Sequence, residues 1–366
     1  MKIHAKQDPR ICIVPRLSGI GGMVSFQQKL TQSLKRRGID VCMDLEDEPY
    51  QAILVIGGSH QVLKLWRARR RGIPIVQRLD GLNWLHRQRW TGLRHYLRSE
   101  YGNGLLKLIR NRLANHVVYQ SRFAQEWWER EYDSAPGSCS VVYNGVDLST
   151  YAPHGTSSLP ENYFRILLVE GNLMGGYEMG LEHAYNMAVK LKSELEGKTS
   201  KLKTAGLKLM VVGRVPPNQK EIWDQRISRT EDSKRVRIEW FGLAPPEQIP
   251  EIDRSAHLLY SADINAACPN SVIEAMACGT PVVAFNTGAL PELVMGEAGM
   301  TVPYGGDPWR LETPNFSAIA QAAYSILENL DRYRSGARAR AEAVFGLEKM
   351  VSGYLEPLLG ITRHGI

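Results

Sequence analysis

The chain has 366 residues, 43% hydrophobic and 23% charged, an ordinary balance for a globular protein with about two cores. No apolar run approaches the roughly 18 residues that cross a bilayer, and residues 1–8 lack a signal-peptide core, so the expected location is the cytoplasm. The charge is uneven: residues 1–153 hold 23 Lys/Arg against 13 Asp/Glu, and the rest hold 22 against 25. A basic first half on a mildly acidic second half points to an anionic partner for the first half alone. Five scattered cysteines without a Cys-x-x-Cys read as small core residues in a reducing compartment.

Residues 10–15 (Arg-Ile-Cys-Ile-Val-Pro) predict a buried first strand, running through Arg16-Leu17-Ser18-Gly19-Ile20-Gly21-Gly22 into a helix over 23–37 that Gly38 closes. A glycine turn from strand to helix lets backbone N–H groups approach an anion, although tight turns also use glycine for sterics alone. The spacing is not the G-x-G-x-x-G of a dinucleotide fold. Strands are expected at 41–44, 52–56 and 73–77, and the acidic run at 44–48 reads as a solvated surface rather than a metal site. Gly57-Gly58-Ser59-His60 starts the helix between the last two strands. In Arg78-Leu79-Asp80-Gly81, Asp80 stands at a strand tip, either as an acceptor for sugar hydroxyls or as a turn cap.

From 83 to 112 basic and aromatic residues alternate (Trp84, Arg87, Arg89, Trp90, Arg94, Tyr96, Arg98, Tyr101). That mixture suits a plain amphipathic helix or an anionic lipid surface, and no nucleic-acid-binding motif accompanies it. A strand at 116–120, a helix through 131 and a short strand at 141–143 lead to Asn144-Gly145-Val146-Asp147. A hinge is expected at 151–161.

The second half opens with a strand at 164–169, a glycine-bearing stretch from Glu170 to Gly180, and a helix to about 195. Strands follow at 207–212, ending in Gly213-Arg214, and at 235–241 and 258–261, with a short helix at 245–255. Then comes Pro269-Asn270-Ser271-Val272-Ile273-Glu274-Ala275-Met276-Ala277-Cys278-Gly279-Thr280-Pro281-Val282-Val283-Ala284. Asn270 and Ser271 are expected to cap a helix with an apolar stripe, Gly279 to stop it, and Thr280-Pro281 to restart the chain as a strand. The loop before this helix falls at the carboxyl end of a strand, where doubly wound sheets bind ligands. Glu274 is the odd residue of the helix: it gains about 0.3–1 kcal/mol from the N-terminal dipole, or it faces a ligand. Asn286-Thr287-Gly288-Ala289-Leu290-Pro291-Glu292 reads as a second glycine-bearing loop and helix start, before helices at 316–327, 331–345 and 347–359.

In this order, Gly21-Gly22, Asn144-Gly145-Val146-Asp147, the 269–284 block and the 288–292 loop resemble the family 4 retaining glycosyltransferases over essentially the whole chain. The resemblance implies an α/β protein of two facing Rossmann-like domains, the GT-B fold. Residues 1–153 would form the acceptor domain, 154–346 the nucleotide-sugar domain, and 347–366 a helix crossing back to the first. It implies transfer of a hexose from a nucleotide diphosphate-sugar to a hydroxyl acceptor with retention of configuration, in cell-surface polysaccharide or glycolipid synthesis. Neither a cofactor nor a bound metal is implied. The implied partners are the donor, a sugar or lipid-linked acceptor and an anionic membrane touched at its inner face, with no nucleic acid.

Glu274 would hold the donor ribose and Asp80 would lie by the acceptor or sugar. Gly21, Gly22, Asn144, Gly171, Arg214, Asn270, Ser271, Thr287, Gly288, Ala289 and Leu290 complete the expected substrate-binding set. Three family positions depart from the pattern: the first glutamate of the motif is Ala266, and the usual Arg and Lys near the diphosphate are Asn172 and Met179. Losing a charge aimed at a leaving group often costs about 2.7–4 kcal/mol of transition-state stabilisation. Either backbone N–H groups of Gly171, Gly175 and Gly176 with Arg16 or Arg214 replace it, or the chain is an altered scaffold with a binding or regulatory role.

Overall fold

The computed structural model describes residues 9–19, 21–173, 178–197, 202, 206–231 and 236–361. Residues 1–8, Gly175 and Gly176 lie outside the described residues. The chain divides into two compact units, 1–87 with 92–145 and 347–366, and 146–346 with 88–91.

The first unit carries β1 (Arg10–Val14), α1 (Gly22–Arg36), β2 (Asp40–Cys42), β3 (Ala52–Ile56), α2 (Val62–Arg70), β4 (Ile75–Leu79), α3 (Leu85–Gln88), α4 (Leu93–Leu108), β5 (His116–Tyr119), α5 (Arg122–Tyr132) and β6 (Ser138–Val141). Its strands form one parallel sheet in the order β2-β1-β3-β4-β5-β6. Both faces are covered, which is why β3 reads Ala-Ile-Leu-Val-Ile without alternation and is buried throughout. Ile11, Ile13 and Leu54 pack on one side with Phe26 and Leu30 of α1; Cys12, Ile53 and Val55 pack on the other with Leu65 of α2. The strand order reverses between β1 and β3, so the loops after Val14 and Ile56 flank the crevice where such sheets take ligands.

One sequence expectation shifts here. β4 runs to Leu79, so Arg78 belongs to the strand and not to the loop after it. The acidic run at 44–48 is held by surface ion pairs, Glu46 to Lys64 at 2.7 Å, Asp47 to Arg10 at 2.9 Å and Glu48 to Arg71 at 2.6 Å.

The second unit carries β7 (Tyr163–Asn172), α6 (Glu178–Gly197), β8 (Gly206–Arg214), α7 (Pro217–Ser228), β9 (Arg237–Gly242), α8 (Ile249–Arg254), β10 (Leu258–Ser261), α9 (Asn270–Ala277), β11 (Val282–Phe285), α10 (Leu290–Leu293), β12 (Gly299–Val302), α11 (Phe316–Glu328) and α12 (Leu330–Val344). Its sheet is also all parallel, ordered β12-β11-β10-β7-β8-β9, with the reversal between β7 and β10. That is the strand plan of a Rossmann sheet, and it rests on a core running from Ile166 and Leu168 to Ile319 and Ala323.

The last helix, α13 (Leu347–Leu359), returns to the first unit. Its Met350, Val351, Tyr354, Leu355 and Leu358 join the core of Ile11, Ile13 and Leu54. This contact explains the Asn-Gly turn: a Cβ at Gly145 would lie 2.9 Å from Leu347 Cα and from Met350 Cβ. Of the cysteines, only Cys139 is exposed. Among the described residues, no helix is long and apolar enough to cross a membrane.

Candidate functional site

In the second unit, α9 starts after Pro269, which takes the N-cap position in extended backbone at φ −67° and ψ 124°. Asn270 and Ser271 therefore stand inside the first turn instead of capping it, a correction to the expected cap chemistry: the fixed proline ring sets the helix entry. Val272, Ile273, Ala275, Met276 and Ala277 are buried as the stripe requires. Gly279, at φ 73°, ends the helix, donating to Met276 O at 3.0 Å while Thr280 N–H donates to Ala275 O at 2.8 Å. This is the six-to-one and five-to-two pair of a Schellman stop. Glu274 stays partly exposed beside this buried stripe. Its charge reaches Asp253, which is 1% exposed with Oδ2 unpartnered among the described residues. Burial first, and Glu274 second, push the Asp253 carboxyl well above the usual range, towards its neutral form.

The loops that follow β10 and β11 touch backbone to backbone. Ala289 N–H donates to Ala266 O at 2.8 Å, and Gly288 adopts φ 59° where a Cβ would lie 2.6 Å from both N and O of Ala266. Only glycine fits that conformation and that approach. Asn265 and Thr287, 5% and 4% exposed on these loops, leave Nδ2 and Oγ1 without a partner among the described residues. Native proteins rarely bury such atoms unpaired, so these loops have hydrogen-bonding capacity open to a further group.

The crevice between β7 and β10 holds two carboxyl groups that sequence reasoning missed, Glu170 near the end of β7 and Asp263 two residues beyond β10. Burial raises both: the Asp263 carboxyl to about 6, and Glu170 well above its ordinary value, with Asp263 adding to the rise. Burial thus pushes both towards their neutral forms. Beside them Arg214 ends β8, exposed, in register with Asn172 and without an ion pair among the described residues. Gly171 opens onto free space, since a Cβ there meets nothing within 4 Å. Met179 is partly buried in the first turn of α6.

In the first unit, Gly21 (φ 144°) introduces α1 with no side-chain cap, and Gly22 is its first residue, at the β1–β3 reversal. The uncapped first-turn N–H groups are available to an anion. Asp80 is half-buried at the tip of β4, its carboxyl raised by burial while Arg78 opposes the rise. Its carbonyl accepts from Trp128 Nε1 at 2.7 Å, and the ring of Trp127 fills the place a side chain at Gly81 would need. Arg78 is 1% exposed: its guanidinium lies 3.9 Å over Phe26, Nη2 donates to Asn144 Oδ1 at 3.0 Å, and Nε and Nη1 have no partner among the described residues. Asn144 in turn donates to Gln120 Oε1 at 3.2 Å, so its amide serves to hold Arg78.

The structure thus gathers Glu274, Asn270, Ser271, Thr287, Gly288, Ala289 and Leu290 on α9 and two adjoining loops, with Gly171 and Arg214 on strand tips of the same sheet. Gly21, Gly22, Asp80 and Asn144 lie at the carboxyl ends of strands of the other sheet. Arg78 was overlooked because the strand was expected to end before it; an arginine within an apolar strand was the available signal. Among the described residues, no three His, Cys, Asp or Glu side chains come together as a metal site.

Comparison with known proteins matches each unit to a glycosyltransferase model. A model described as Glycosyltransferase Family 4 matches residues 13–150, and one described as Glycosyl transferases group 1 matches residues 181–329. D-inositol 3-phosphate glycosyltransferase of Corynebacterium efficiens is 28% identical over 178 residues, 48% of this chain and 42% of that protein. The match therefore spans less than half the length of this curated relative. Sucrose-phosphate synthase of Thermosynechococcus elongatus has the same fold, with a TM-score of 0.67 at 17% identity over 97% of this chain and 99% of its own. Anabaena HepE, solved with UDP-glucose, gives a TM-score of 0.64 at 16% identity over 96% of this chain and 100% of its own. Two glycosyltransferase models matched in succession, on two Rossmann-like units shared with these structures, support a glycosyltransferase of the family 4, group 1 type.

Proposed function

We propose that this protein transfers a hexose from a nucleotide diphosphate-sugar to a hydroxyl acceptor with retention of anomeric configuration, in the assembly of a cell-surface polysaccharide or glycolipid. The carrying observation is the pair of loops locked by Gly288 against Ala266, with unpaired Asn265 and Thr287 buried on them and Glu274 on the helix between. In this reading Glu274 accepts from the ribose hydroxyls, and the first turn of α9 and the 286–290 backbone face phosphate and sugar. Arg214 carries the cationic role that Asn172 and Met179 lack, so no resident metal is needed. The anomeric carbon loses its bond to the diphosphate oxygen and gains one to the acceptor oxygen on the same face. The departing phosphate takes the acceptor proton, which balances charge without a protein nucleophile. HepE was solved with UDP-glucose, which makes UDP-glucose the first donor to try.

Thermal unfolding with UDP-, GDP-, ADP- and TDP-sugars tests this. A ligand at about 100 times its Kd adds about 2.7 kcal/mol, and Glu274→Ala should remove that gain. If no nucleotide-sugar moves the midpoint, the reading fails. A second reading, a binding or regulatory scaffold, draws on Ala266, Asn172 and Met179 standing where the family carries charged residues. It predicts nucleotide binding without slow hydrolysis of any nucleotide-sugar.

A further inference from the structure

Helix α4 is packed inside out. Its buried residues are the polar Ser99 and Asn103, and polar bonds hold it to the unit. Asn103 accepts from Asn83 N–H at 3.0 Å and donates to Asn83 O at 2.9 Å; Glu100 accepts from His86 at 2.8 Å and from Arg87 Nε at 2.7 Å. The apolar residues of its first half face the other way, while Leu105 and Leu106 near its end pack on the unit. Leu93, Leu97 and Tyr101, spaced four apart on one ridge, are 62%, 58% and 61% exposed. Tyr101 stacks on His60 at 5.8 Å, which carries the ridge to the start of α2, where Leu63 is 71% and Trp66 43% exposed. A helix in a globular unit ordinarily turns such a stripe to the core.

Arginines border the ridge. Arg94 and Arg98 are exposed on the first turns of α4, and Arg67 and Arg70 on α2, with Arg70 4.3 Å over Trp66. None of these four forms an ion pair among the described residues. A nucleic acid would satisfy the arginines and leave the leucines in water. A second copy docking face to face would set the same arginines against each other. We infer that α4 and the start of α2 are a docking surface for an anionic bilayer. The leucines and aromatics enter the boundary between headgroups and acyl chains, and the guanidinium groups meet lipid phosphates. This surface does not depend on the donor reading; combined with it, it brings the first unit to the place where a lipid-linked acceptor resides.

Flotation of the full chain with vesicles of phosphatidylcholine, with or without phosphatidylglycerol, is the test. The protein should float only with the anionic vesicles, and less as salt rises. The pair Arg94→Gln with Arg98→Gln should lower the association constant roughly thirtyfold, and Leu93→Ser with Leu97→Ser should abolish it. Both pairs lie at exposed positions and should keep the wild-type unfolding midpoint. A wild-type chain that stays soluble at low salt, or a serine pair that floats like wild type, overturns the inference. So does a concentration-dependent dimer that the serine pair dissolves while no vesicle is bound. If vesicles bind yet no nucleotide-sugar shifts the midpoint, the docking surface stands and the transfer reading alone is lost.

Discussion

In α9 the apolar residues are buried and a single acidic side chain remains partly exposed; in α4 the buried residues are polar and the leucines face water. Both helices lie on parallel sheets of similar plan, so the difference does not come from the architecture. It comes from what each helix packs against. α9 is enclosed between strands and neighbouring helices, and burying its stripe stabilises the unit by about 1.5–3 kcal/mol per large side chain. α4 is held by polar bonds to Asn83, His86 and Arg87 and by Leu105 and Leu106 near its end, while the apolar area of Leu93, Leu97 and Tyr101 stays in water. A helix that agrees with its local pattern marks the scaffold of a site. A helix that contradicts it marks a surface awaiting something outside the chain.

Five substitutions, four in the sheets and loops and one on α9, sharpen this contrast. The largest effect is expected for Gly288→Val, which puts a branched side chain at φ 59° against the Ala266 backbone. It should cost about 3–5 kcal/mol of stability, read as a lowered urea midpoint, and abolish donor binding. If the midpoint is unmoved, the two loops do not meet as described. Glu274→Ala comes next: kcat/KM for the nucleotide-sugar should fall roughly a hundredfold, about 2.7 kcal/mol, while the unfolding midpoint stays close to wild type. A collapse in stability without that kinetic signature would make Glu274 structural.

Glu170→Gln and Asp263→Asn should act in the opposite sense on stability. Both carboxyls have folded-state pKa values raised above the unfolded ones, so the native state binds more protons and wild-type stability falls as pH rises, for Asp263 from about 4 through about 6. Each neutral amide removes that loss. The variants should match wild type below about pH 4 and exceed it by about 1–2 kcal/mol at pH 7, while donor turnover declines. A constant offset across pH in urea titrations would show that the pair is not titrating there. The smallest stability change is expected for Arg78→Met, which keeps a long side chain over Phe26 and removes a buried charge lacking an ion pair among the described residues. The net change should be within about 1 kcal/mol, and a loss above about 3 kcal/mol in chemical denaturation would mean that Arg78 is paired with a buried anion.

Much of this was legible along the chain. The strand–loop–helix–strand unit around Glu274 could be read from its apolar stripe, Gly279 and Thr280-Pro281, because helix stops and strand entries depend on residues within a turn of one another. The cap was misread because Pro269 fixes the helix entry by itself. Arg78 was placed in a loop because a charged residue ended the apolar run, although the strand continues and the charge is covered by Phe26.

The sequence by itself determined the alternation of strands and helices, the glycines at the turns and the order of the motifs, since each follows from propensities of near neighbours. Only the tertiary structure decided that Glu170 meets Asp263, that Arg78 donates to Asn144 sixty-six residues away, and that α4 shows its leucines to solvent. Desolvation, charge pairing and burial depend on chain-distant groups brought together by the sheets, and no local pattern carries that information.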